Sequence, residues 1–278
     1  MAVSRPLRRA LLSLALIALL GTAAFAQRRF GGFFGGPPID LRLPPNLPYD
    51  GRFAFVRVKY ETAEGGYWYR GLPAWAHGYP LAEQNLMRIM NEVSFLGPHT
   101  EEITTLSFED PNIYKYPIAY VIEVDWWAMT EREAQAMRAY IQKGGFVIVD
   151  DFKPRRFRGG FGGPRDGWGS GWDVFEAAMK RVFPGGKFYD MDASHPIFHS
   201  FFEVDNLDII PQAYIAGRPI FRGLYEDNDP KKRLQMMVNY NTDVSQFWEW
   251  SGTGLRPIDD TNEAYKLGVN YIMYGMTH

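Results

Sequence analysis

The chain contains no cysteine among its 278 residues. Without cysteine it can form no disulfide, and it cannot use a thiolate as a nucleophile or as a metal ligand. An excess of positive charge is also missing, because 30 Lys and Arg stand against 32 Asp and Glu and the net charge is −2. Proteins that bind nucleic acid normally present a basic face, so we expect no nucleic acid among the partners.

The apolar run near the start, residues 10–20, is short for a membrane span, which needs about 20 apolar residues. Three arginines precede it, and residues 24–26 have the small-x-small pattern of a cleavage site. We therefore predict a signal peptide over residues 1–26 and a periplasmic or extracellular protein. The alternative is an uncleaved leader that anchors the chain in the inner membrane through residues 10–26, the only membrane association we expect.

The remaining chain is predicted to comprise a linker and one domain. Residues 27–50 are rich in glycine and proline, which suit a linker better than a helix or strand. Residues 51–278 are long enough to bury a core without disulfides, as a single α/β domain. Within it, residues 153–171 form a basic, glycine-rich insertion, longer than the roughly two to six residues usual between strand and helix. We interpret it as a flexible surface loop or, alternatively, a cationic lid.

Residues 118–151 carry the clearest structural signal. Apolar runs at 118–124 and 146–149 flank a segment of helical periodicity that begins with the capping-box pair Thr130 and Glu133. Two apolar strands joined through a helix are typical of a parallel sheet covered on both faces. The second run ends at two adjacent aspartates.

Strands and helices alternate along the rest of the domain, which predicts an α/β fold with a mostly parallel sheet and helices on both faces. Two late strands flank a turn-forming segment and predict a C-terminal β-hairpin. The further predicted strands are residues 53–60, 102–108, 217–225 and 233–239, and the further helices begin at Pro80 and cover 172–182 and 262–274.

Asp150 and Asp151 are the sharpest site candidates. Ligands of open α/β sheets bind beyond the carboxyl ends of the strands, where carboxylates supply strong acceptors. We predict that both bind ligand and that Asp151 is a candidate catalytic residue. The alternative is structural, with one aspartate capping the following turn and the other facing solvent.

His195 is the candidate acid–base residue among five histidines, since an unperturbed imidazole titrates near neutrality. His199 follows at the spacing of two zinc ligands on one helix. However, Pro196 and the absence of an HExxH glutamate favour a His-Pro turn, so we predict no metal site and no cofactor.

Asn241, Asp243 and Trp248 complete the predicted ligand-binding set. Amides, a carboxylate and an indole together suit a carbohydrate or another flat, polar ligand. Turn-forming residues beside a buried indole explain the same pattern equally well.

Five motifs, taken in order over about residues 53–277, resemble the bacterial family catalogued as domain of unknown function 4159. They read FAFVRVKY, YPIAYVIE, TEREAQAMRAYIQKGGFVIVDDF, SHPIF and LGVNYIMYGMT. The resemblance implies a flavodoxin-like fold of the class I glutamine-amidotransferase type. It places Asp150 and Asp151 at or near the elbow that carries the nucleophilic cysteine in amidotransferases. Because this chain has no cysteine, glutamine amidotransferase activity is excluded.

Members of this family are often encoded beside membrane-associated ATPases and von Willebrand-type proteins, which implies a role in the cell envelope. We predict a non-enzymatic ligand-binding or interaction module, with a small polar ligand such as a carbohydrate, or envelope proteins, as partners. One alternative is a sugar-acting hydrolase or isomerase with a carboxylate–histidine pair, which requires His195 within hydrogen-bond reach of Asp150 or Asp151. The other is a purely structural protein-interaction domain.

Overall fold

A computed structural model describes residues 41, 43–68, 71–152, 171–208 and 218–278. The predicted signal peptide, most of the predicted linker and nearly all of the basic insertion lie outside the described residues. A main unit comprises residues 42–66 and 73–278, and a small unit comprises residues 1–41 and 67–72. In the small unit, the N–H of Trp68 donates to the carbonyl of Leu72 at 2.7 Å. Of the helices in the described ranges, none combines the length and apolarity needed to cross a membrane.

The main unit is built on a seven-stranded sheet with the order β2-β1-β3-β4-β7-β6-β5. The first five strands of that order run parallel to one another, while β6 is antiparallel to both β7 and β5. The strands are β1 Val56–Val58, β2 Thr104–Leu106, β3 Ile118–Ile122, β4 Phe146–Phe152, β5 Phe188–Asp190, β6 Ile220–Tyr225 and β7 Leu234–Tyr240. The predicted α/β fold, its mostly parallel sheet and its C-terminal hairpin are confirmed.

Helices cover both faces of this sheet. They are α1 Leu81–Val93, α2 Glu131–Gln142, α3 Gly171–Val182, α4 Val244–Glu249 and α5 Ile258–Thr277. Tyr120 and Ile148 belong to the core cluster that α1, α4 and α5 form on one face. Val121 and Val149 are equally buried and, because side chains alternate along a strand, point to the opposite face with α2 and α3. Burial on both faces explains why β3 and β4 read as continuous apolar runs.

The parallel part of the sheet has a topological switch point between β1 and β3. The chain moves from β1 outward to β2, then returns past β1 to β3 and continues to β4 and β7. This is the doubly wound order of flavodoxin-like folds, in which the carboxyl ends of the strands open a crevice at the switch point. The crevice is therefore expected where the chain leaves β1 and β3.

Strand β4 continues beyond its apolar run and includes both aspartates. Its pairing with β7 is interrupted by a bulge between Val149 and Phe152, and Asp151 has a positive φ of 50°. A bulge turns one residue out of the regular alternation of the strand. Asp150 and Asp151 consequently have different surroundings, although they are neighbours in sequence and both fully buried.

Candidate functional site

Asp150 is a structural acceptor at the centre of a buried hydrogen-bond network. Its Oδ2 accepts from the hydroxyl of Tyr120 at 2.7 Å and from the backbone N–H of Ser245 at 3.0 Å. Its Oδ1 accepts from Nδ2 of Asn239 at 3.2 Å and from the N–H of Val244 at 3.3 Å. The carboxylate therefore joins β3, β4 and β7 to the first residues of α4 and satisfies donors that a short helix leaves unpaired.

Asp151 faces a different group of residues, formed with Glu123 and His77. Nδ1 of His77 lies 3.3 Å from Oδ2 of Asp151 and 3.3 Å from Oε1 of Glu123. The carboxyl side chains are almost completely buried, with exposures of 0% for Asp151 and 5% for Glu123, whereas His77 is 26% exposed. The cluster is thus closed on the side of the sheet and open to solvent through the imidazole.

Glu123 is held by a turn that follows β3 directly. Its φ of 51° is left-handed, a conformation that costs a residue other than glycine about 1–2 kcal/mol. Its N–H lies 3.1 Å from the carbonyl oxygen of Asp151, and the hydroxyl of Tyr60 donates to the carbonyl of Glu123 at 2.7 Å. Two acids in strained conformations, locked to each other through the backbone, are typical of a functional site.

His77 lies in the connection between β1 and α1 and is fastened to the sheet by a buried arginine. Nη1 of Arg57, on β1, donates to the carbonyls of Trp75 at 2.7 Å and His77 at 3.1 Å. Arg57 also forms an ion pair with Glu83 of α1, and both side chains are fully buried. Arg57 therefore fixes the backbone that presents the imidazole.

The two carboxylates dominate the electrostatics of the cluster. Partial burial lowers the pKa of His77, but the hydrogen bonds and charges of Asp151 and Glu123 outweigh it and raise that pKa to about 11. Burial raises the pKa of Asp150 to about 6, and the charge of Asp151 adds to this rise, while the bond from Tyr120 opposes it. With only protons bound, His77 is an imidazolium at neutral pH and lies between the two carboxyl groups.

A third carboxylate borders the cluster. A Cβ added to Gly78 would lie 3.2 Å from Oε2 of Glu249, at the end of α4. Burial raises the pKa of Glu249, and the positive charge of His77 opposes that rise. This part of the main unit therefore concentrates acceptor oxygens around one imidazole.

His195 lies at the opposite end of the parallel strands. Its Nδ1 accepts from the N–H of Ile197 at 3.2 Å, which caps the short 3-10 helix Pro196–His199. Its ring lies 5.9 Å from that of Tyr225 and 6.0 Å from that of Tyr274. Tyr225 pairs with the first residue of β7, and Tyr274 contacts the first residue of β4. The structure therefore does not bring His195 to Asp150 or Asp151, which lie in the carboxyl half of β4.

Asn241, Asp243 and Trp248 serve the connection from β7 through α4. Nδ2 of Asn241 donates to the carbonyl of Arg218 at 2.9 Å, and Asp243 caps α4 by accepting from the N–H of Gln246 at 2.9 Å. The indole of Trp248 is 2% exposed and donates to the carbonyl of Ala264. A buried indole cannot stack on a sugar, so in this set Trp248 has a packing role.

His77 and Glu123 were not among the residues predicted from the sequence. Glu123 directly follows the apolar run of β3, so the rule that selected Asp150 and Asp151 applies to it as well. His77 has no such signal, because it lies in an aromatic loop and meets Asp151 across 74 positions of sequence.

Among the described residues, His199, Glu203 and Asp205 form a second group of possible metal ligands, and this group lies at the surface.

A profile of the family described as Domain of unknown function (DUF4159) matches residues 54–276, and the chain belongs to this family. The match confirms the resemblance carried by the five motifs. No curated protein matches the chain.

Proposed function

We propose that this member of a family without an assigned function is an exported ligand-binding module of the cell envelope. Its ligand site is the cluster of His77, Glu123 and Asp151. The observation that carries the proposal is the convergence of two buried carboxylates on one partly exposed imidazole. The cluster lies beside the switch point, the usual place for ligands in doubly wound sheets. The signal-peptide pattern of residues 1–26 supports export.

The chemistry of the cluster selects the ligand class. Two carboxylates and one imidazolium give the cluster a net negative charge, and their oxygens accept hydrogen bonds. Small ligands that are cationic or rich in hydroxyl groups, carbohydrates included, fit such a site, whereas anionic ligands do not. The ligand class is the polar one expected from the sequence, but of the predicted ligand-binding residues only Asp151 belongs to this cluster.

A thermal-shift panel on the purified chain, with chelator present, tests this proposal. The panel contains neutral sugars, amino sugars, polyamines and anionic controls. We expect a neutral or cationic class to raise the melting temperature, since a ligand at about 100 times its Kd adds about 2.7 kcal/mol. The shift should disappear in Asp151→Asn and persist in Glu203→Gln, which changes an exposed carboxylate beside another histidine. No shift with any compound, or an equal shift in Asp151→Asn, would refute this site.

A hydrolase or isomerase is the second candidate function, and the 3.3 Å separation of His77 Nδ1 and Asp151 Oδ2 favours it. The pair has the contact that a carboxylate–histidine acid–base mechanism needs, although with a histidine other than His195. Turnover of a bound sugar that His77→Asn abolishes, while the affinity changes less than threefold, would support catalysis. Binding of a sugar without turnover would exclude the enzyme and support the non-enzymatic ligand-binding module.

A further inference from the structure

We infer that His77, Glu123 and Asp151 form a binding site for a divalent transition metal of the zinc class. The ligand atoms are Nδ1 of His77, Oε1 of Glu123 and Oδ2 of Asp151. The inference rests on the proposed function, because it concerns the same cluster and adds a metal ion to the cationic ligands that this cluster would bind.

The first argument is the spacing of the ligand atoms. Donors that bind one tetrahedral ion at about 2.0–2.2 Å lie roughly 3.3 Å from one another. Nδ1 of His77 lies 3.3 Å from Oε1 of Glu123 and from Oδ2 of Asp151. Each of the three residues offers a ligand atom within 4.8 Å of those of the other two. A direct charge-assisted hydrogen bond is shorter, at about 2.7–2.9 Å. The spacing therefore matches ligands of a common ion better than a contracted ion pair.

The second argument is the use of a single nitrogen by two carboxylates. The single hydrogen on Nδ1 cannot point straight at both acceptors, so at least one of the two hydrogen bonds is bent and therefore weak. A cation on the nitrogen lone pair can bind oxygens from both residues at once. With neutral imidazole, the two carboxylates carry two negative charges, which a divalent ion balances in a site where buried charge must be paired.

The ligand types indicate which metals are accepted. Calcium and magnesium prefer sites made of oxygen alone, whereas imidazole nitrogen favours zinc and its neighbours in the first transition row. Catalytic zinc sites combine three protein ligands with one position for water or substrate. Here the partly exposed side of His77 leaves room for that fourth ligand, and Glu249 lies next to the same loop.

The surroundings hold the ligand residues in place before any ion binds. Arg57 fixes the carbonyl of His77, and Tyr60 fixes the carbonyl of Glu123. Asp151 is held by the bulge of β4 and by the backbone bond to Glu123. Such outer contacts orient metal ligands and reduce the cost of assembling a site. Arg57 and Tyr60 are thus positioning residues.

Cobalt(II) is the direct probe of this site. The purified chain is treated with chelator, and Co²⁺ and Zn²⁺ binding are then followed by visible absorption and calorimetry. We expect one ion per chain, an intense visible band of tetrahedral cobalt, and competition by Zn²⁺ but not by Mg²⁺. Glu123→Gln and Asp151→Asn should each weaken binding at least 100-fold, whereas Glu203→Gln should change it less than twofold. Circular dichroism verifies that each variant is folded.

The absence of cysteine permits a second test that does not depend on affinity. In His77→Cys the new thiol is the only one in the chain, and as a cobalt ligand it should produce a thiolate charge-transfer band in the near ultraviolet. His199→Cys, in the exposed cluster, should produce none. A band from His199→Cys and none from His77→Cys would overturn the inference. Cobalt binding that Asp151→Asn leaves unchanged, or cobalt that Mg²⁺ displaces, would also overturn it.

The two proposals can fail separately. If a ligand of the panel stabilises the chelator-treated chain and cobalt does not bind, the metal site is wrong and the ligand-binding function stands. If cobalt binds with the expected spectrum and no compound of the panel shifts the melting temperature, the metal site stands without that function.

Discussion

At the carboxyl edge of the parallel strands, His77 lies between two carboxylates, and at the amino edge, His195 lies among tyrosine and phenylalanine rings. The pKa of His77 is raised to about 11, whereas burial lowers the pKa of His195, against the charge of Asp192. The same side chain is thus a charged group at one edge and a cap and packing group at the other. The surroundings, rather than the residue type, determine the role of each histidine.

The largest expected contrast is the titration of these two imidazoles in chelator-treated protein. Nuclear magnetic resonance of the imidazole nitrogens should find His77 charged at pH 8 and His195 neutral at pH 7. The pKa of His77 lies above its unfolded value of 6.5. Its contribution to stability is therefore complete below about pH 6.5 and is lost as the pH rises through about 11. Equal titration of the two histidines would erase the distinction between the edges.

Removal of the buried arginine should be the most damaging substitution. In Arg57→Met, Glu83 loses its ion-pair partner inside the protein, and such a loss costs about 3–5 kcal/mol. Urea denaturation measures this, and cobalt affinity should fall in the same variant because the carbonyl of His77 is released. The double variant with Glu83→Met should regain most of the stability but not the affinity. A loss below about 1 kcal/mol for Arg57→Met would show that the ion pair does not hold this edge.

Substitution of Asp150 should cost more stability than substitution of Asp151, whereas substitution of Asp151 should cost more metal binding. Asp150→Asn places an amide against backbone donors and should cost about 1–3 kcal/mol in the free energy of unfolding. Asp151→Asn should cost less. The charge of Asp151 raises the pKa of Asp150, so the substitution removes a repulsion between two like charges. Denaturation and cobalt titration of both variants check this. Greater damage from Asp151→Asn would contradict the structural role of Asp150.

The smallest expected effect is at the amino edge. His195→Ala removes the side chain that caps the helix Pro196–His199, and loss of such a cap costs about 1 kcal/mol. The melting temperature should fall by a few degrees, while metal and ligand binding remain unchanged. Loss of metal or ligand binding in this variant would instead support the prediction that His195 is a binding residue.

The fold could be predicted well from the sequence because its signals are local. The predicted cap of α2 is confirmed, since Oγ1 of Thr130 accepts from the N–H of Glu133 at 3.0 Å. The short helix α4 and the edge strand β5 escaped prediction. Helix α4 is six residues long, and its donors are satisfied by Asp150 and Asp243 rather than by a recognisable local pattern. Elements of this length depend on tertiary contacts.

The candidate site could be predicted only in part. Position at the end of a parallel strand directs attention to Asp151 and, by the same rule, to Glu123. The histidine could not be found this way, because motif spacing favours His195 while the chain path from β1 to α1 brings His77 to the acids. Nor does sequence distinguish Asp150 from Asp151, since only the bulge of β4 turns one toward α4 and the other toward His77.

Hydrophobic periodicity and capping residues, which act over a few positions, determined the alternating elements, the parallel core strands and the edge where their acids emerge. Tertiary structure alone decided that Asp150 accepts hydrogen bonds from the surrounding strands and α4, that Asp151 contacts an imidazole, and that His77 supplies this imidazole. The reason is physical: periodicity sets the face on which a residue lies, but its partners depend on strand order, crossover paths and a single bulge. These features arise from contacts between segments far apart in the chain.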